Sequence, residues 1–294
     1  MYSTFKNTQI LLNNTGILCT DLGISVDASI DPLLYAQDRA ALSYNATNGI
    51  GGSINLTYFL SGKDHLKDYV SNERNAISGN FGGLYFTSGY LTSYNLNCSP
   101  NNPIIANAEI KFFDALSGTY VKTYVRSTGT KILNYCDALL IDPSRDGAGG
   151  GIGNISGISN IQFSFNSDIS PLYLAGDQMP AEIRFGEKNL MAIITTDIYS
   201  GDLPITGKSA GVKVNFTHPE LAGIVENFFV SGILFKRELD TSIGNLLQTK
   251  LYIKQSFAED IPSISSLSNA SAYPKETITI NGTNLLNTMF VHFA

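Results

Sequence analysis

A mainly β chain containing two copies of one domain is the fold class this sequence predicts, and three observations carry the prediction. The stretch Ile30-Asp31-Pro32-Leu33-Leu34-Tyr35-Ala36-Gln37-Asp38 returns as Ile169-Ser170-Pro171-Leu172-Tyr173-Leu174-Ala175-Gly176-Asp177, which sets an offset of 139 between the prolines (171 − 32 = 139). The same offset then holds without a gap. Ser61-Gly62 falls on Ser200-Gly201, Tyr90-Leu91-Thr92 on Phe229-Val230-Ser231, and Lys111 on Lys250. The third observation is phase. Ile24, Val26, Ala28 and Ile30 mark the side removed from water, and the second copy has Phe163, Phe165, Ser167 and Ile169 there. On that reading Ile54 matches Ile193, while Tyr58 matches Asp197. A slip of one residue would turn every side chain to the wrong face, so a maintained phase argues for a repeated domain.

Taken in order, residues 1–21 form an N-terminal arm with one strand at Thr8–Leu12. The first copy, 22–141, has strands near 22–30, 40–46, 53–60, 84–96 and 104–113, with an Asp-Pro-Leu turn after the first. Lys63–Asn75 is its one helix, because Leu66, Tyr69 and Val70 are spaced to share a face. Ser78–Gly83 reads as a loop, since its glycines tolerate positive φ. A strand pair around 119–126 and 131–141 closes the copy. Residues 142–154, with five glycines between Gly147 and Gly153, read as a linker. The second copy, 155–257, has Pro204 and Gly207 where the first has its helix, so no equivalent helix is expected. Thr217-His218-Pro219-Glu220 has the pattern of a capping box and predicts the start of a short helix. The composition changes again over 258–294.

The 294 residues fit about two domains. With 43% apolar and 15% charged residues, 15 Tyr, 16 Phe, 27 Gly and no Trp, they suit strands joined by tight turns. A net charge of −6 excludes a sequence-wide attraction to nucleic acid or anionic membrane. Cys19, Cys98 and Cys136 have no metal-ligand spacing and read as free, small core residues in a reducing compartment. The start, Met1–Lys6, lacks a signal-peptide pattern, and no apolar run approaches the roughly 18 residues of a membrane span. A protein made in the cytosol and not anchored is expected.

No motif points to catalysis. Gly201–Ser209 approaches a phosphate-binding loop, but five residues separate its glycines instead of four, and a strand-like alternation follows it. It reads as a strand-end turn. The Gly147–Gly153 run has neither the helix nor the acidic ribose partner of a dinucleotide site. His65, His218 and His292 are isolated. No cofactor and no metal are expected.

The order strand, Asp-Pro-Leu, long hairpin, helix, then Phe81-Gly82-Gly83-Leu84-Tyr85-Phe86-Thr87-Ser88-Gly89-Tyr90-Leu91-Thr92-Ser93-Tyr94 and Ser99-Pro100-Asn101-Asn102-Pro103, resembles the tail tube proteins of tailed bacteriophages. The similarity covers about 22–257. Ile261–Leu267 with Lys275–Asn284 resembles the opening of an IPT/TIG-type immunoglobulin-like domain. Such a domain needs roughly 100 residues, so 258–294 is read as a partial immunoglobulin-like segment. The resemblance implies two tube-type β-sandwich or barrel domains and a virion subunit forming stacked rings in the tail. DNA would pass through the lumen without being held. Partners would be further copies, as a trimer with pseudo-six-fold symmetry, and other tail proteins. Barrel strands would include 53–60 with 192–199 and 104–113 with 243–252, and Asn55, Asn107, Glu109, Lys111, Gln248 and Lys250 would face the lumen. Two alternatives stay open: a baseplate hub or distal tail protein, and a carbohydrate-binding adhesive β-sandwich.

Overall fold

The computed structural model describes residues 8–33, 43–121, 132–141, 158–174, 182–196, 209–218, 221–240, 248–255, 263–267 and 280–283, with 177, 179–181 and 207 between them. It is mainly β. The strands are β1 (Thr8–Leu12), β2 (Thr15–Leu33), β3 (Ser43–Phe59), β4 (Ile77–Phe81), β5 (Leu84–Cys98), β6 (Ile105–Phe112), β7 (Ser117–Gly118), β8 (Ala138–Ile141), β9 (Ile158–Leu172), β10 (Glu182–Thr196), β11 (Ser209–His218), β12 (Leu221–Asp240), β13 (Gln248–Gln255), β14 (Ser263–Leu267) and β15 (Ile280–Thr283). Helix α1 spans only Lys67–Ser71. The chain divides into two compact units, Met1–Lys254 and Gln255–Ala294. In the second, β14 and β15 pair antiparallel, Ser263 opposite Thr283 and Leu267 opposite Ile280.

In the first unit one 13-stranded sheet runs β4-β1-β2-β3-β6-β5-β9-β10-β13-β12-β11-β8, with β7 on β5. Because β4 also pairs with β5, the first six strands close into a barrel. The ladder order β2-β3-β6-β5-β4 is met again as β9-β10-β13-β12-β11. Register agrees at the start of the repeat: Pro32 lies opposite Tyr44 and Pro171 opposite Ile183, so the offset of 139 holds in both strands (183 − 44 = 139). Both prolines lie within strands rather than in a turn. Among the described residues each has a partner strand on one side only, where a missing donor breaks no second ladder. The halves join where β5 pairs with β9, from Ser93 opposite Asn166 to Cys98 opposite Ile161.

The repeat is broken by a bulge. Between β2 and β3, residues 47–49 oppose residue 29 alone, whereas between β9 and β10 only 186 and 187 oppose 168. One residue fewer slips the ladder, so Phe163 faces Ala192 where Ile24 faces Ile54. Ala192 and Ile194 are consequently buried and Ile193 turns outward, which overturns its match with Ile54. Asp197 lies outside the described residues.

Other expectations change for local reasons. The expected strands 40–46 and 53–60 fall in one strand, β3, with 40–42 outside the described residues; Gly49 lies in the bulge, and Gly51 and Gly52 stay paired with Asp27 and Val26 instead of ending the strand. Ser78–Gly83 is not a loop: β4 runs to Phe81 and only Gly82 (φ +56°) and Gly83 (φ +90°) turn the chain. Gly79 is needed for packing, as a Cβ there would come within 2.0 Å of the Phe86 ring. The helix loses both ends of 63–75, keeping Leu66 and Val70 buried. Thr217 and His218 end β11 and β12 begins at Leu221, so the capping-box pattern marks a hairpin rather than a helix start. Residues 119–121 are not strand. Cys19 and Cys98 are buried but Cys136 is exposed, against the reading of all three as core. Val26, expected out of water, is 46% exposed; among the described residues β1 pairs with β2 only as far as Cys19. Residues 122–131, the linker at 142–154 and most of Gly201–Ser209 lie outside the described residues.

Candidate functional site

Along β3, β6, β5, β9, β10 and β13 one side of the common sheet faces outward, and alternation decides what that side carries. In β3, Ile54, Leu56 and Tyr58 are buried while Ser53, Asn55 and Thr57 point outward. Directly opposed residues share a face, so the outer face can be followed strand by strand. Ser53 lies opposite Lys111, Asn55 opposite Glu109 and Thr57 opposite Asn107. Glu109 is opposite Ser93 and Asn107 opposite Asn95. Ser93 meets Asn166, Asn95 meets Ser164 and Asn97 meets Gln162. The path continues from Gln162 to Ile193 and Tyr252, and from Asn160 to Thr195 and Lys250. In β13 the buried positions are Thr249, Leu251 and Ile253, which places Gln248 on the same outward side as Lys250. All six residues singled out in the sequence, Asn55, Asn107, Glu109, Lys111, Gln248 and Lys250, therefore lie on one face of one sheet.

The face is knit by side-chain hydrogen bonds. Ser25 and Ser53 hydroxyls are 2.9 Å apart, and Thr57 Oγ1 donates to Asn107 Oδ1 at 2.8 Å. Its character changes along the sheet. From β3 to β9 it is mostly hydroxyls and amides, whereas in the second half Met191, Ile193 and the exposed Phe229, Ile233 and Phe235 join it. There Tyr252 donates to Glu238 Oε2 at 2.5 Å, which raises the phenol to about 12.

Beneath the face, a buried polar joint ties the halves together. Asp64 precedes α1 and is 2% exposed. Tyr58 donates to its Oδ1 and Oδ2 at 2.8 and 2.9 Å, Tyr94 to Oδ2 at 2.7 Å, and the Leu66 N–H to Oδ1 at 2.9 Å. The Asp64 N–H donates to Glu226 Oε2 of β12 at 2.7 Å. Lys67 of α1 donates to Glu226 Oε1 at 2.6 Å and lies 5.1 Å from the Phe228 ring centroid. A second ion pair, Lys188 to Glu73 at 3.4 Å, also crosses between halves. Burial pushes the Asp64 carboxyl above its usual range, and the hydrogen bonds from Tyr94, Tyr58 and Leu66 pull it back in part. Tyr58 and Tyr94 are pushed far up, by burial first and then by the Asp64 charge.

No protein-family profile and no curated protein matches this chain.

The joint's two carboxylates are buried, Asp64 2% and Glu226 6% exposed, and their hydrogen bonds pin the halves to each other. Among the described residues no group of three or more His, Cys, Asp or Glu is placed to hold a metal ion, and no helix is long and apolar enough to cross a membrane. Sequence reasoning misses the joint. The available signal is Tyr58 and Tyr94 at core positions, since a buried phenol needs a partner. That the partner is Asp64, in a loop, does not follow from spacing. A pH test follows. A carboxyl raised in the folded state contributes stability fully below its ordinary pKa of 3.8, and loses it as pH rises through the folded value. Asp64→Asn should therefore flatten the fall in urea midpoint as pH rises above about 4. An unchanged slope would show that Asp64 is not the group responsible.

Proposed function

We propose that this chain is the structural subunit of a bacteriophage tail tube, in which two tube-type domains per chain build stacked rings around a channel for DNA. One observation carries the reading: two halves with the same ladder order merge into a single sheet, and the six residues expected to face the lumen share one side of it. A surface of hydroxyls and amides, with few cations among them, lacks the Lys and Arg array that would hold phosphates. In this reading three chains supply six similar domains per ring. The β14–β15 pair is the start of an immunoglobulin-like decoration.

The distal-tail or hub role is the second reading. It is favoured by Met191, Ile193, Phe229 and Ile233 on the outer face of the second half, which suit contact with another protein better than passage of DNA.

Electron images of the purified whole chain separate these outcomes. Hollow rings or tubes of three chains per layer are expected. Rings of six whole chains would overturn the trimer, and dispersed monomers would overturn the tube.

A further inference from the structure

We infer that the Asp64 joint is a pH-operated latch between the two halves: holding its proton, the carboxyl closes the joint as a neutral, fully paired unit, and losing that proton loosens the second half from the first. Charge is the first argument. Among the described residues, the ionisable groups that face Asp64 and Glu226 are Cys19 of β2, Tyr58 of β3, Tyr94 of β5, Lys67 of α1 and, from the loop before α1, Lys63. Lys63 is exposed and paired with Asp68 at 3.0 Å, and His65 of the same loop is exposed. Lys67 is therefore the cation in contact with the joint, and it balances Glu226. An ionised Asp64 is a surplus negative charge, buried, with its own N–H bonded to the other carboxylate. A buried charge without a counter-ion is costly.

Hydrogen bonding is the second. Ionised, the Asp64 carboxylate only accepts, from Tyr58, Tyr94 and the Leu66 N–H. The Tyr58 and Tyr94 hydroxyls are also hydrogen-bonded to each other. With a proton on Oδ2, Asp64 donates to the Tyr94 hydroxyl, Tyr94 to Tyr58, and Tyr58 back to Oδ1. Each member of that cycle gives one hydrogen bond and takes one, so the proton is stored with no buried donor or acceptor orphaned.

The joint is wired to the seam between the halves. Tyr94 lies in the β5–β9 ladder opposite Phe165, and its ring stacks on Phe228 of β12. The Asp64 N–H and the Lys67 ammonium both hold Glu226, two residues before Phe228. Displacing Asp64 thus withdraws support from β9 and from β12 together. The sign is set by burial, which raises the folded carboxyl above its ordinary value of 3.8. Closing takes up a proton between those two values, so the latch is tightest below about pH 4 and weakens as pH rises, levelling once the folded value is passed.

Hydrogen exchange of the whole chain, with the intrinsic rate at each pH divided out, tests this. Protection of residues 64–71 and of 161–166 in β9 should fall by up to about ten-fold per pH unit above about pH 4, while β3 and β6 of the barrel hold theirs. Asp64→Asn, neutral at every pH and able to donate to Tyr94 while accepting from Tyr58, should keep protection high and level. The same fall in that variant, or an equal fall in β3 and β6, would overturn the latch. Infrared spectra of the unmodified chain give a second readout that needs no variant to fold. A band from an un-ionised carboxyl should persist where exposed carboxyls are already ionised, and vanish over the pH range in which protection is lost. Absence of that band would equally overturn the proposal.

Discussion

Replacing Lys67 by methionine is expected to destabilise the first unit by about 3–5 kcal/mol, because it leaves a buried carboxylate without its cation. Glu226 is 5% exposed and takes hydrogen bonds from Lys67, from the Asp64 N–H and from its neighbour Asn227 N–H. Two amides cannot neutralise it, and Asp64 lies on the other side of the same junction. Lys67→Arg, which keeps a cation, should recover part of the loss. Urea unfolding at neutral pH measures both variants. A cost below about 1 kcal/mol for Lys67→Met would place the pair in the class of weak surface bridges.

Phe228→Ala should cost a similar amount, about 3–5 kcal/mol, through a different mechanism. The ring is the meeting point of both halves. It stacks on Tyr94 with centroids 6.2 Å apart, and packs against Phe163 and Phe216 at 5.4 and 5.8 Å. Removing it leaves a cavity bounded by rigid aromatics from neighbouring strands, which cannot all relax inward together. At roughly 2–4 °C per kcal/mol for a unit of this size, the midpoint of thermal unfolding should fall by about 10 °C. Phe228→Leu should cost less, and an equal loss would indicate a role for the ring beyond filling space.

What the sequence made legible follows from its period of two. Alternation located β2, β3, β5, β6, β9 and β10, and the offset of 139 survives in the pairing of Pro32 with Tyr44 and of Pro171 with Ile183. The candidate lumen residues share a face for the same reason, since parity within each strand and direct opposition between strands carry the side from Asn55 to Lys250. Bulges were illegible. Nothing in residues 47–49 or 186–187 announces how many of them oppose one residue of the partner, yet that count decided which way Ile193 points. Gly79 resembled a loop residue because its partner is Phe86, a contact visible only after the strands are paired. The Asp64 joint was hidden for a related cause: its members come from β3, a loop, α1, β5 and β12, and only the tertiary fold brings them together.

Closure of the first half against its own β1 has a consequence during synthesis. Strands β1 to β6 are all complete once Phe112 has been added, so the barrel has every strand it needs early. The second half has no such independence, because β9 must find an edge that β5 already offers. Cys98 is made well before its partner Ile161, with a separation along the chain of 161 − 98 = 63. At about 5–20 residues per second the β5 edge stands open on the ribosome for roughly 3–13 s. Neighbouring chains on one message present the same edge at the same time, and the interval before β9 arrives is when they are most exposed to pairing with one another.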